Sequence, residues 1–284
     1  MAAALAVVSL VAGCGGDDDD PPEADTDAIV YVALGDSFSS GEGAPPYEPG
    51  SGSCNVSSLA WPRLLYADTS DVVSVEHRAC AGAKTEHMTG RWESRDLAPQ
   101  IPSEPDPSIT LVTLTIGGNN AGFGDIVGTC VVTDCPSPED EDFVDALTAI
   151  TDTLVTTVYP ALRTAYPEAR LVHVGYPRLT PAPGRPVDGC AWLDESDQIR
   201  AAGILTALDD AIRTATEQSP APVEYADVTE ALDGHELCTP RPWLNPIGLG
   251  TGHAHPNAAG QRGIEEAVAA ALGIDLGATT DDDG

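Results

Sequence analysis

The chain has 284 residues, 42% of them hydrophobic, which is enough to fill the core of one sizeable domain. Asp and Glu number 45 against 13 Lys and Arg, for a formal net charge of -32. Nucleic acid and anionic membrane faces carry the same sign and are excluded as expected partners, so the acidic balance reads first as a solvated surface.

Residues 2–13 form an apolar run of 12, too short to span a membrane as a mature helix, and residues 1–13 read as an export signal. The run ends in Val11-Ala12-Gly13-Cys14, which resembles the lipobox of bacterial lipoproteins. In that class the Cys is lipidated and becomes the new N-terminus, so Cys14 would carry a membrane tether through the acidic segment 14–28. A plain secretory signal is the alternative, and either one exports the protein. Of the seven Cys, setting Cys14 aside leaves Cys54, Cys80, Cys130, Cys135, Cys190 and Cys238. An even set in an exported chain suggests disulfides, and the sequential pairing 54–80, 130–135 and 190–238 is favoured. The six are scattered and hold no C-x-x-C pair, a poor pattern for zinc.

From residue 29 to 275 short apolar runs alternate with amphipathic stretches, and the spacing marks a single domain. The first run is 29–34, broken at Gly35, and the second is 71–76. The strongest is 109–116 (ITLVTLTI), ending at Gly117-Gly118. Runs at 170–174 and 223–228 complete five predicted strands, apolar enough to be buried on both faces of a parallel sheet. Between them, helical periodicity covers 143–166, 197–218 and 256–272. Strands alternating with helices predict a three-layer α/β fold, with sites at the carboxyl ends of the strands. Residues 276–284 read as a disordered acidic tail.

Four short blocks follow strand ends or open a helix. Gly35-Asp36-Ser37-Phe38-Ser39-Ser40-Gly41 should place Ser37 at a helix start, where backbone N–H groups favour a developing anion. By itself a capping Ser explains that block. Cys80-Ala81-Gly82-Ala83-Lys84-Thr85 follows the second strand, and Gly82 lets a backbone N–H approach a ligand. Gly117-Gly118-Asn119-Asn120 ends the third strand, with an Asn amide as a candidate donor. His253-Ala254-His255-Pro256-Asn257 opens the last helix, where Pro256 suits the first helical position and places a candidate base, His255. Each block alone reads as a turn, but the four in this order point to one site.

In this order the blocks resemble those of the SGNH hydrolases, or GDSL esterases and lipases, and are most similar in pattern to secreted actinobacterial members. The likeness covers roughly residues 29–273. It implies a flavodoxin-like α/β/α fold with a five-stranded parallel sheet of order 2-1-3-4-5. It implies Ser37 as nucleophile, His255 as general base, and an oxyanion hole built from the N–H groups of Ser37 and Gly82 and the side chain of Asn119. The sequential disulfides agree with the pattern of the secreted members. The family often has an Asp three residues before the His, and here that position is Gly252. The carbonyl of Gly252 is therefore the expected partner of the His255 ring. Asn120 stands where Asp is common. His253 competes with His255 as base, but the His-Pro-Asn context favours His255. Asp36 is read as a brace of the turn, and His77, His87, His173 and His235 as structural or surface residues.

These residues predict a monomeric exported ester hydrolase, a lipase or esterase acting through an acyl-enzyme on a small-molecule or lipid ester, without metal or other cofactor. A carbohydrate O-acetyl esterase or phospholipase of the same family is the alternative, and a non-catalytic surface lipoprotein the reading outside the enzyme class. Three Phe, four Trp and seven Tyr offer no aromatic wall for a long acyl chain.

Overall fold

The computed structural model describes residues 28–182, 184–185, 193–248 and 252–276. The expected signal with Cys14, most of the tether, the tail from 277 and Cys190 lie outside the described residues. Five strands, Ile29–Gly35 (β1), Val72–His77 (β2), Leu111–Thr115 (β3), Arg170–Val174 (β4) and Glu224–Ala226 (β5), form one parallel sheet in the order β2-β1-β3-β4-β5. The order is the one the resemblance implied. The central strands form where apolar and β-branched residues leave no face for water: Tyr31–Gly35 and all of β3 are buried. The edge strand β2 is largely exposed or half-buried, and the predicted run 223–228 shortens to three paired residues at the other edge.

The helices are Ser37–Ser40 (α1), Trp61–Ala67 (α2), Glu86–Thr89 (α3), Phe123–Val132 (α4), Glu141–Thr153 (α5), Tyr159–Ala165 (α6), Glu195–Gln218 (α7) and Ala258–Leu272 (α8). In the layers around the sheet, α2 packs on α8 and α5 packs on α7. The helix predicted over 143–166 is interrupted by a π-helical turn at Leu154–Val158. That wide turn falls ahead of Pro160, whose ring and missing N–H are incompatible with an unbroken α-helical ladder. Pro256 is not the first residue of the last helix, contrary to expectation. Asn257 is the N-cap, its side chain accepting from the N–H groups of Ala259 and Gly260. Pro256 instead bridges to Leu244 ahead of the cap.

Register sets where the site forms. Leu34 pairs with Leu114 and Gly35 with Thr115, so β1 and β3 end side by side. Each such buried Leu contributes about 1.5–3 kcal/mol through area removed from water. Beyond the pair, the Asp36 N–H donates to the Thr115 carbonyl at 2.9 Å, and the Cys80 N–H donates to the Gly35 carbonyl at 3.0 Å. The turns after β1, β2 and β3 therefore gather at one end of the sheet. Gly35 is required there: its φ is +126°, and a Cβ would lie 2.4 Å from the Thr115 carbonyl oxygen.

Candidate active site

The first block folds as a tight strand-to-helix turn. Asp36 is extended and caps α1, its Oδ1 accepting from the Phe38 N–H at 3.0 Å. Its Oδ2 accepts from the Tyr176 hydroxyl at 2.6 Å, and that hydroxyl in turn accepts from the Gly118 N–H at 2.9 Å. One chain of hydrogen bonds thus ties the Ser37 turn to the turn after β3, from a Tyr placed just past β4. Burial pushes the Asp36 carboxyl up to about 7, against the bonds from Tyr176 and Phe38. Asp36 braces the turn, as expected. Gln100 adds a second brace: it accepts from the Gly35 N–H at 2.7 Å and donates to the Gly35 carbonyl at 2.8 Å.

The structure brings Ser37 and His255 together across 218 residues, with His255 Nε2 at 2.7 Å from Ser37 Oγ. The competing His253 does not make this contact. The His255 ring packs against Phe38 and Phe123, with centroids 5.2 and 6.0 Å away. Burial lowers its pKa below the ordinary His value, opposed chiefly by Glu42, so the imidazole is neutral near pH 7. The partner of its far nitrogen differs from expectation. His255 Nδ1 lies 2.8 Å from the carbonyl of His253, not that of Gly252. The Gly252 carbonyl is taken by the His255 backbone N–H at 3.2 Å, closing a turn in which Ala254 has a φ of 55°. That closure engages the Gly252 oxygen and leaves the His253 carbonyl facing the ring. A carbonyl only accepts, so Nδ1 carries the proton and Nε2 is free to accept the Ser37 hydroxyl hydrogen.

Gly82 and Asn119 occupy adjacent turns. Gly82 has a φ of +79°, and the Asn119 amide donates to the Ala83 carbonyl at 3.0 Å. One amide hydrogen of Asn119 thereby fixes it to the Gly82 loop, leaving the other to donate elsewhere. Asn120 clips the same two turns together: its Oδ1 accepts from the Thr85 N–H at 2.9 Å and its Nδ2 donates to Glu86 at 3.1 Å. Cys54–Cys80 is disulfide-bonded at 2.07 Å and anchors the start of the Gly82 loop, while Cys130–Cys135, at 2.13 Å, ties the end of α4. The third expected pair, Cys190–Cys238, involves a residue outside the described ones. Arg95 lies over Trp92, 3.9 Å from its ring centroid, and donates to the Ala81 carbonyl at 2.7 Å on the outer side of the loop.

The remaining His residues hold structural or surface places. His173 is buried and His77 half-buried, with ring nitrogens 2.8 Å from the Tyr159 hydroxyl and 2.9 Å from the Ser39 carbonyl. His87 and His235 stack on Trp92 and Trp243.

Beside His255 lies a narrow recess with a cavity volume of about 50 Å³. Phe123, Ile126 and Val127 of α4 form one wall and Leu205 of α7 another. Ala254, adjacent in the chain to His255, also lines it. Its exposed lining is almost wholly apolar and mostly aliphatic. Sequence reasoning missed this wall, along with Tyr176, Gln100 and Glu42. Glu42 lies one residue past the first block. Tyr176 and Gln100 lie outside all four blocks, where a lone polar residue carries no pattern.

A parallel sheet with a Ser and a neutral His meeting at its carboxyl end defines a class of hydrolase built on an α/β scaffold. Residues 33–262 match the GDSL-like Lipase/Acylhydrolase family, and the chain belongs to it. It is 37% identical over 240 residues to a lipase of Streptomyces rimosus, covering 82% of this chain and 83% of that protein. It is 36% identical over 245 residues to lipase 1 of Streptomyces coelicolor, covering 82% of each. Among solved structures, the extracellular lipase of Streptomyces rimosus superposes with a TM-score of 0.66 at 28% identity, over 86% of this chain and 100% of that one. Phospholipase A1 of Streptomyces albidoflavus superposes with a TM-score of 0.65 at 32% identity, over 87% and 98%. The chain is a carboxylic ester hydrolase. Among the described residues no helix is long and apolar enough to cross a membrane.

Proposed function

We propose that the chain hydrolyses acyl esters through an acyl-enzyme, with Ser37 as nucleophile and His255 as general base. The Ser37 proton passes to His255 Nε2 as the Oγ electron pair bonds to the ester carbonyl carbon. The carbonyl electrons move to oxygen, where the N–H groups of Ser37 and Gly82 and the free amide hydrogen of Asn119 receive the negative charge. His255 then protonates the leaving alcohol as the C–O bond breaks, and water repeats the cycle on the acyl-enzyme. The observation that carries the reading is the 2.7 Å contact between Ser37 and His255, with Nδ1 of that ring committed to a carbonyl.

The apolar, aliphatic lining of the recess beside His255 suits an acyl group over a sugar, and so favours a lipase or esterase over a carbohydrate deacetylase. A phospholipase A-type substrate presents the same kind of acyl ester and is the second reading. The apolar run ending at Cys14 supports export, with Cys14 as the lipid-bearing residue. Intact mass of the mature protein would show a diacylglyceryl addition on Cys14 or its absence.

The test uses p-nitrophenyl acetate, butyrate and palmitate with the wild type and Ser37→Ala. Loss of turnover on the order of 10⁴-fold or more in Ser37→Ala is expected. Equal release by both proteins would remove Ser37 from the chemistry and reopen the non-catalytic binding role.

A further inference from the structure

Under the mechanism above, His255 becomes a cation each time it takes the Ser37 proton. The group on its Nδ1 side is a neutral carbonyl, which orients the ring but balances a unit charge less well than a carboxylate. A carboxylate stands on the other side. Glu42 Oε2 lies 4.0 Å from His255 Nε2, with side chains 16% and 13% exposed, so water screens the pair only partly. The placement is built. The Glu42 N–H donates to the Ser37 carbonyl at 3.1 Å, and Asn55 Nδ2 donates to Glu42 Oε1 at 3.3 Å. The next residue, Gly43, is tied to the His255 loop by Asn245, whose amide donates to the carbonyls of Gly43 and His255 at 2.8 and 3.2 Å.

The titratable groups facing the ring are Glu42, from the segment after α1, and His253, from its own turn. Phe38 and Phe123 pack against it and carry no charge. Burial lowers the pKa of the ring, and Glu42 is the largest influence acting against that, ahead of the His253 carbonyl.

We propose that Glu42 is the anionic partner of the His255 imidazolium, supplying from the Nε2 side the charge that a triad acid supplies from the Nδ1 side. Glu42 acts through its charge and is not the acceptor of the Ser37 proton. The proton leaves Ser37 Oγ, rests on Nε2 between Oγ and the Glu42 carboxylate, and passes to the leaving alcohol. The proposal rests on the Ser37–His255 reading and adds to it a residue no triad pattern marks.

The test compares the wild type, Glu42→Gln and Glu42→Asp on p-nitrophenyl butyrate from pH 5 to 9. It also follows the His255 ring by NMR titration in Ser37→Ala and in Ser37→Ala/Glu42→Gln. For Glu42→Gln, kcat falls roughly 10- to 100-fold with KM little changed. The acid limb of kcat/KM moves down by about one pH unit, because the cationic ring loses its counter-charge. Glu42→Asp, which keeps the charge one methylene further back, lies between the two. The His255 titration moves in the same direction without any need for turnover.

A kcat within about twofold of wild type with an unmoved acid limb would overturn the proposal. So would a drop in kcat with both the limb and the NMR titration unmoved, since a purely structural role predicts that pattern. Should Glu42→Gln fail to fold, Glu42→Asp read on the same two axes decides. Should the wild type and Ser37→Ala prove equally active, the reading of the site fails, while the NMR titration still reports whether Glu42 and His255 are coupled.

Discussion

Tyr176 connects two of the four motif blocks through a single oxygen, accepting from Gly118 and donating to Asp36. Removing that oxygen leaves a buried N–H and a buried carboxylate oxygen without their partner, at about 1–3 kcal/mol for each orphaned group. Tyr176→Phe keeps the ring against Phe38, whose centroid is 5.1 Å away, so the packing survives. The expected result is a stability loss of roughly 2–4 kcal/mol in urea unfolding, with kcat reduced about tenfold and KM nearly constant. Unchanged stability would mean that the Asp36 turn stands without this brace. At this scale the sequence discloses residues whose chemistry is local. Ser37, Gly82, Asn119 and His255 each lie in a block with its own turn signal, and three of those turns close on strand ends. It does not disclose Tyr176, whose partners lie 140 and 58 residues away. It also misplaces the ring partner by one residue. A carbonyl has no side-chain signature, and the left-handed conformation of Ala254 decides which of two neighbouring carbonyls faces His255.

Among the elements, α4 contributes Phe123, Ile126 and Val127 to the recess beside His255. Its sequence Phe123–Val132 is apolar, yet only Cys130 is buried, and Val131 and Val132 are 41% and 81% exposed. It spans 10 residues against the 24 of α7 and carries two glycines, which weaken a helical signal that short, so the sequence does not mark it as a helix. The four-residue α1 and α3 are likewise shorter than one period of any pattern can establish. The aromatic count gave no sign of the apolar recess because the wall that forms is aliphatic, contributed by Ile126, Val127 and Leu205. Under the proposed function, filling that recess shortens the accepted acyl chain. Ala201 lines it from α7. Ala201→Phe is expected to cut turnover of palmitate and octanoate p-nitrophenyl esters by roughly 10- to 100-fold, with acetate within about threefold of wild type. An unchanged chain-length profile would place the acyl group elsewhere.

At the scale of the whole molecule, the five strands were legible because burial on both faces forces continuous apolar runs, and their order followed from the resemblance. The buried charges were not legible, because a titratable residue in a strand or helix looks the same in sequence whether or not the fold covers it. Four of them set a pH balance. Burial lowers His77 and His173 to about 3, and it raises Asp36 and Asp209 to about 7. The two His stay neutral in the fold while the unfolded chain protonates them near 6.5, so their contribution to stability is lost as pH falls from about 6.5 to 3. The two Asp act in the opposite sense. Folded, they hold a proton up to about 7 that the unfolded chain releases near 4, so stability is lost as pH rises through that window. Between about pH 4 and 6.5 the two pairs cancel. Asp209 accepts the Tyr176 N–H at 2.9 Å, a bond that an Asn oxygen retains. Asp209→Asn therefore removes one member of the balance without removing the acceptor. Relative to wild type, the variant gains stability as pH rises from 4 to 7, by about 1.4 kcal/mol per pH unit, and the difference levels off above 7. Urea unfolding of both proteins at pH 4.5, 6 and 8 measures that slope. A difference independent of pH would show that Asp209 is ionised in the folded protein across the whole range.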